Sequence, residues 1–274
     1  MRAAYSITMR ERIDNFSTMV GSTNVQHGKQ EGIRELFEKI TTLSESEERT
    51  ALIEQLITTM ENNSEQNGFF GRNDEIKMIV NDFNLDSPQI VIDDIDVYKM
   101  FFNNYTLLKE KFPNKPEGAI HSAAIRGTVD AYYGKFYGNA NLRLSLAKSK
   151  VDFTEDGDIM VAPASVSKLK GKNAAMCTER ASMSHNLWLI GGYESYYVEA
   201  TSIKFEGCED QGHAYCLVNS NGSFKMFDPA RYTYFPFEAG RNVADEILSG
   251  QPLKVETSYG KEVYANAQNQ ELVQ

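Results

Sequence analysis

The sequence lacks long apolar runs, a signal peptide and an excess of basic residues. No stretch of its 274 residues approaches the roughly 18 consecutive apolar residues that a transmembrane helix needs. Arg2, Arg10, Glu11, Arg12 and Asp14 interrupt every apolar segment near the N-terminus, so no secretory signal is predicted. We therefore expect a cytoplasmic chain without a membrane partner, and export by a route without a signal stays an open alternative.

Cysteine and basic residues are both scarce. The net charge of −10 disfavours a nucleic-acid partner, because such proteins usually display an excess of Lys and Arg. The three cysteines, Cys177, Cys208 and Cys216, suit a reducing compartment better than a disulfide framework. A Cys208–Cys216 bridge remains the alternative if the protein is exported.

The organisation along the chain changes from helical to mixed. Apolar residues at helical spacing predict a helix from Glu31 onward and a second helix that begins with a capping box, Ser44 with Glu47. Longer helices are expected from Asp94 to Lys111 and from Glu117 to about Tyr133. Shorter helices are predicted at 74–83, 141–150 and 243–248.

From Cys177 the pattern indicates one helix followed by strands. Gly191-Gly192 ends that helix, because glycine permits a left-handed turn. A strand is predicted at 195–200, and strands at 213–219 and 223–227 flank an Asn-Gly turn typical of a hairpin. Helices followed by an antiparallel sheet indicate an α+β fold. The predicted regions are a polar arm (1–30), a helical subdomain (31–90), a core domain (91–257) and a polar tail (258–274).

Three residues in the second half could form a thiol active site: Cys177, His213 and Asp228. The unpaired N–H groups of a helix N-terminus favour a thiolate, and they can also stabilise an oxyanion. The hairpin brings the start of one strand beside the end of the other, so His213 and Asp228 are expected as cross-strand neighbours. Asp228 would orient the imidazole, and His213 would accept the thiol proton. Each residue alone has an ordinary structural role, so the prediction rests on the combination.

Other candidate sites are weaker. Strand alternation puts His213 and Cys216 on opposite faces, which argues against a zinc site built from them with Cys177 and Cys208. The acidic run 93–96 suits a helix N-terminus better than a metal. We expect neither a cofactor nor a metal.

Four helical polar residues are assigned no role in the chemistry. Glu179 and Arg180 are expected to be solvated rather than paired near the thiol, and His121 and His185 have no obvious partner in the sequence.

The motifs around the three residues resemble the transglutaminase-like superfamily of papain-fold thiol enzymes. The similar features are Cys177 at a helix start, a strand that opens with His213-Ala214-Tyr215, and Asp228-Pro229. The resemblance covers about residues 165–232. It implies a nucleophile helix packed on an antiparallel sheet, as in a papain-like core, and a thioester intermediate. Members cleave peptide bonds, deamidate or cross-link glutamine side chains, or transfer acyl groups, and some have lost catalysis.

One feature departs from that family. Relatives often supply a second oxyanion donor from an upstream Trp or Gln, whereas Trp188, the sole tryptophan, follows Cys177. Asn173 is our candidate for this donor, and a loop or capping role for Asn173 stays open.

The sequence as a whole predicts a thiol hydrolase or acyltransferase that acts on amide bonds of a protein or peptide. A cysteine peptidase or a protein glutamine deamidase is preferred, because water requires no second substrate site. The alternatives are a catalytically inactive binding module on the same fold and, more weakly, an enzyme that transfers acyl groups to small molecules.

Overall fold

The fold was analysed in a computed structural model. It describes residues 23–64, 69–72, 90–134, 142, 151–153, 159–161, 164–204, 211–220, 223–230, 253–257 and 260–266. The helices predicted at 74–83, 141–150 and 243–248 lie wholly or almost wholly outside these residues. No helix in the described part of the chain is both long enough and apolar enough to cross a membrane.

The described elements form an α+β fold, as predicted. The helices are α1 (Thr23–Thr42), α2 (Glu47–Glu61), α3 (Asp96–Lys111), α4 (Glu117–Tyr133) and α5 (Cys177–Ile190), with a short 3-10 helix at Val166–Leu169. The strands are β1 (Ile90–Val91), β2 (Val151–Phe153), β3 (Ile159–Val161), β4 (Ala164–Ser165), β5 (Ser195–Lys204), β6 (Gln211–Ser220), β7 (Ser223–Phe227), β8 (Leu253–Thr257) and β9 (Gly260–Asn266).

The helix boundaries correct two predictions. Helix α1 begins at Thr23, inside the region predicted as a polar arm. The predicted capping box of α2 is wrong: Ser46, not Ser44, is the N-cap, and its hydroxyl accepts a hydrogen bond from the Arg49 N–H at 3.1 Å. Helix α4 has the predicted bounds, because Pro116 precedes it and Gly134, at φ 78°, follows it.

The main sheet has the strand order β7-β6-β5-β9-β8, and every described neighbour pair in it is antiparallel. Ser220 pairs with Ser223, so the turn between β6 and β7 has two residues, as the Asn-Gly pair predicts. The prediction of a polar tail from 258 onward is wrong for residues 260–266. These residues form β9, which pairs with β8 and with the end of β5.

One hydrophobic core joins the helices to the sheet. It includes Phe37 of α1, Ile53 of α2, Phe101 of α3, Trp188 of α5 and Phe227 of β7. This core contains residues from both sides of the boundary predicted near residue 90. Thirteen of the fourteen residues of α5 are buried, so this helix is the centre around which the other elements pack.

Candidate functional site

Cys177 is the first residue of α5, as predicted. It is a free cysteine, 8 % exposed, and its Sγ lies 4.0 Å from the Thr178 hydroxyl. Met176 precedes it as the N-cap in an extended conformation, with φ −100° and ψ −169°. The sulfur therefore lies at the positive end of the helix macrodipole, where negative charge is favoured.

Two backbone donors remain available beside this sulfur. The Arg180 N–H bonds to the Met176 carbonyl at 3.2 Å, which closes the first turn of the helix. Within the described part of the chain, neither the Cys177 N–H nor the Thr178 N–H donates a hydrogen bond. These two N–H groups are suited to receive a negatively charged oxygen of a bound group.

Glu179 and Arg180 are not solvated, which corrects the prediction. Both side chains are fully buried. The Glu179 carboxylate accepts a hydrogen bond from the Met176 N–H at 2.8 Å, and the Arg180 guanidinium pairs with Asp130 of α4 at 2.9 Å. Buried charges are costly unless they are paired or hydrogen-bonded, and both groups meet that condition.

The end of α4 is attached to the start of α5. The carbonyls of Tyr132 and Tyr133 accept hydrogen bonds from the N–H groups of Gly171 and Asn173, at 2.7 and 3.0 Å. Arg180 donates a further hydrogen bond to the Gly134 carbonyl. Carbonyls that a helix C-terminus leaves without partners are thus satisfied by the segment that leads to the candidate nucleophile.

Asn173, the predicted oxyanion donor, lies in this attachment. It has a left-handed backbone, with φ 55°, which Asn tolerates better than most residues. A Cβ at Gly134 would overlap the Asn173 amide oxygen, so the two residues are in close contact. The position gives Asn173 a definite structural role, and the oxyanion role stays a prediction.

Strand β6 lies against α5. The Cys216 thiol donates a hydrogen bond to the Ala181 carbonyl at 3.2 Å, and Phe227, its partner across the hairpin, contacts the Trp188 ring. Burial raises the pKa of the Cys216 thiol well above its usual value, and the nearby Asp228 charge adds to this. Cys216 is a free thiol, so the alternative bridge to Cys208, which lies outside the described residues, is not formed.

Asp228 follows β7 directly and is fully buried. One of its carboxylate oxygens accepts a hydrogen bond from the Ala230 N–H at 2.9 Å, an arrangement that holds the side chain in the Asp-Pro turn. Burial raises the pKa of Tyr215 on β6, and the charge of Asp228 raises it further. A buried carboxylate therefore lies close to the strand that carries His213.

The backbone of His213 is in β6, where it pairs with Ala200 of β5; its side chain lies outside the described residues. Cys216 pairs with Phe227 in the β6–β7 register. Continuing that register sets Asp228 opposite Tyr215, and His213 lies two residues before Tyr215 on β6. Predicted alternation puts His213 on the face opposite Cys216, the residue that contacts α5. The contact between His213 and Cys177 therefore stays a prediction; the register shift in this region lies in β5, directly after Ala200, the partner of His213.

The two helical histidines have definite partners that the sequence did not indicate. His121 is fully buried, with its Nε2 2.8 Å from the Leu187 carbonyl, and burial lowers its pKa to about 3. His185 lies on α5 with its Nδ1 3.0 Å from the Ser195 hydroxyl. Leu187 is 66 residues from His121 in the sequence, so the two residues meet only in the folded protein.

No group of three His, Cys, Asp or Glu side chains among the described residues is arranged to hold a metal ion. Comparison with protein-family models gives no match, and comparison with curated proteins gives no significant relative.

Proposed function

We propose that this protein is a thiol hydrolase or acyltransferase that acts on amide bonds of a protein or peptide, with a transglutaminase-like, papain-like core. The observation that carries the proposal is the position of Cys177 at the first residue of a buried helix, beside two available backbone N–H groups. Support comes from the strand packed on that helix, which contains His213, and from the buried Asp228 near it.

In this mechanism the Cys177 thiolate attacks the carbonyl carbon of the substrate amide. His213 accepts the thiol proton and returns it to the leaving amine, and Asp228 orients the imidazole. The backbone N–H groups of Cys177 and Thr178 stabilise the negative oxygen of the tetrahedral intermediate, and Asn173 is the candidate for an additional donor. Water then resolves the thioester in a peptidase or a glutamine deamidase, and an amine resolves it in a cross-linking enzyme.

The proposal is tested by alkylating the native protein with iodoacetamide at pH 6 and measuring the rate at each cysteine by peptide mapping. An ordinary thiol is largely protonated at this pH, so an activated Cys177 should react about 100-fold faster than Cys208 and Cys216. The His213→Ala variant should lose most of this advantage, because it lacks the imidazolium that stabilises the thiolate. Equal and slow labelling of all three cysteines would contradict the proposal.

A trapped acyl group gives the second test. The wild-type protein, incubated with a mixture of glutamine-containing peptides and quenched in acid, should carry an acyl adduct on Cys177 that intact mass detects. The Cys177→Ser variant should carry no thioester, and His213→Ala should form the adduct far more slowly because it lacks the base. Such a result would assign the chemistry before the substrate is known.

A catalytically inactive binding module is the second candidate. The observation that favours it is the low exposure of Cys177, since only 8 % of this residue is accessible. Uniform labelling of the cysteines together with a normally folded protein would support this candidate over the enzyme.

A further inference from the structure

The proposed reaction assigns no role to the buried carboxylate of Glu179, which is close to Cys177 in the sequence. Glu179 is two residues after Cys177 and fully buried, yet its side chain does not extend along the helix into the core. Its carboxylate reaches back to the Met176 N–H at 2.8 Å. A carboxylate removed from water needs a compensating interaction, and this hydrogen bond at the helix N-terminus supplies one.

The bond strengthens a weak cap. Most helices begin with Ser, Thr, Asp or Asn, whose side-chain oxygen accepts a hydrogen bond from the first turn, whereas Met176 offers the Glu179 N–H only a thioether sulfur, a weak acceptor. Glu179 supplies the other half of a capping box, the contact from the third helical residue to the N-cap N–H. The peptide group that precedes Met176 is thereby fixed to the first turn of α5.

We propose that Glu179 is a positioning residue for Cys177: its carboxylate fixes the Met176 backbone and so sets where the sulfur and the Cys177 N–H point. The inference rests on the proposed function, in which Cys177 is the nucleophile. By occupying the Met176 N–H, Glu179 also limits the donors open to a substrate oxygen to those further along the first turn.

The charge of Glu179 also acts on its surroundings. Burial raises the pKa of Tyr133 on α4, the Glu179 charge raises it further, and the Arg180 charge acts in the opposite direction. Other described ionisable groups near the start of α5 are Asp130 on α4, Cys216 on β6 and Asp228 after β7, and the charges of Tyr132 and Asp93 also raise the pKa of Tyr133.

Two substitutions separate position from charge. Glu179→Gln keeps an oxygen that can accept the Met176 hydrogen bond and removes the charge. The plateau rate of Cys177 alkylation should therefore stay close to wild type. Glu179→Asp keeps the charge but is one methylene too short for this hydrogen bond, so the plateau rate should change several-fold.

The measurement is the rate of Cys177 alkylation by iodoacetamide from pH 5 to pH 9, on protein whose folding is checked by near-UV circular dichroism. The matched control is Glu110→Gln, which makes the same change in net charge at an exposed position of α3. If Glu179→Gln and Glu179→Asp both give the profile of Glu110→Gln, the inference is overturned.

A measurement on the wild-type protein covers the case in which the variants do not fold. The Met176 N–H should exchange with deuterium at least about 100-fold more slowly than the Thr178 N–H, because only the former has an acceptor. Equal exchange of the two groups would overturn the inference.

Failure of the proposed function has a different signature. If His213→Ala leaves the alkylation profile unchanged while Glu179→Asp changes its plateau rate, Glu179 positions a thiol that lacks its base. The positioning role then stands and the enzyme mechanism falls. If His213→Ala changes the profile and neither Glu179 variant does, the mechanism stands and the positioning role falls.

Discussion

The two ends of α5 are both buried, but they are stabilised by different kinds of contact. The first turn contains a thiol and two charged side chains, Glu179 and Arg180, each of which has a specific hydrogen-bond partner. The last turn is packed against aromatic rings: Trp188 stacks on His121 with a centroid distance of 4.9 Å. Four other rings surround that histidine, from Phe37, Phe101, Tyr105 and Tyr193.

The two ends of α5 therefore contribute differently to the protein. Packing of rings gives a rigid, water-free support, and a polar network gives directed contacts around the sulfur. Damage to the aromatic end should therefore lower stability with little effect on the reactivity of Cys177 in folded molecules. Changes at the polar end should alter reactivity first.

The largest loss of stability is expected from Gly191→Ala at the aromatic end. A Cβ at Gly191 would overlap the His121 ring, although its φ of −79° suits any residue. The ring is enclosed on all sides, so we expect a cost of about 3 kcal/mol in the free energy of unfolding. Urea denaturation measures it, and the alkylation rate of Cys177 should be unchanged.

The matched control is Gly118→Ala in α4, where a Cβ would make only an ordinary contact, 3.6 Å from the Tyr193 hydroxyl. This substitution should be neutral or stabilise by about 0.5–1 kcal/mol, as alanine does in a helix. Similar losses of unfolding free energy in Gly191→Ala and Gly118→Ala would contradict the expected clash with the His121 ring.

A smaller effect is expected from acid. The pKa of His121 is lowered to about 3 by burial, whereas the unfolded chain takes up this proton near its ordinary value of 6.5. Stability from the neutral ring is therefore complete above pH 6.5 and falls as the pH decreases toward 3. The loss should reach about 2 kcal/mol at pH 5.

Urea titrations at several pH values check this against His121→Phe, which removes the titrating group from the aromatic end. The difference in unfolding free energy between wild type and variant should change by that amount from pH 7.5 to pH 5. A difference that is independent of pH would contradict the assigned burial of His121.

The smallest effect on stability is expected at the second described cysteine. Cys216→Ser keeps a donor for the Ala181 carbonyl in a similar volume, so the cost should be about 1 kcal/mol. In the wild-type protein, alkylation of Cys216 should require unfolding, because the thiol is fully buried. Its rate should increase with urea in step with global unfolding. A rate that matches that of Cys177 without urea would remove the distinction between the two thiols.

Local signals in the sequence predicted several elements well. Pro116 and Gly134 bound α4, Gly191-Gly192 ends α5, and an Asn-Gly pair makes the β6–β7 turn. Each of these depends on the conformational limits of one or two residues. The start of α5 at Cys177, on which the candidate site depends, was predicted from the small residues that precede it.

The errors have their causes in tertiary structure. Arg180 appeared solvated because its partner, Asp130, is 50 residues away on another helix. Residues 260–266 appeared to be a tail, because their polar composition hides a strand that pairing with β5 and β8 stabilises. Two serines preceded α2, and only the geometry of the first turn selects Ser46 as the cap.

The position of the sole tryptophan gives the molecule an internal optical probe. The Trp188 indole contacts His121, Tyr193 and Phe227 and is 2 % exposed, so its emission depends on the last turn of α5. The thiol of Cys177 lies at the opposite end of the same helix and can carry a second label. Trp188 fluorescence and Cys177 alkylation, followed in one experiment, thus report separately on the last turn and on the first turn of α5.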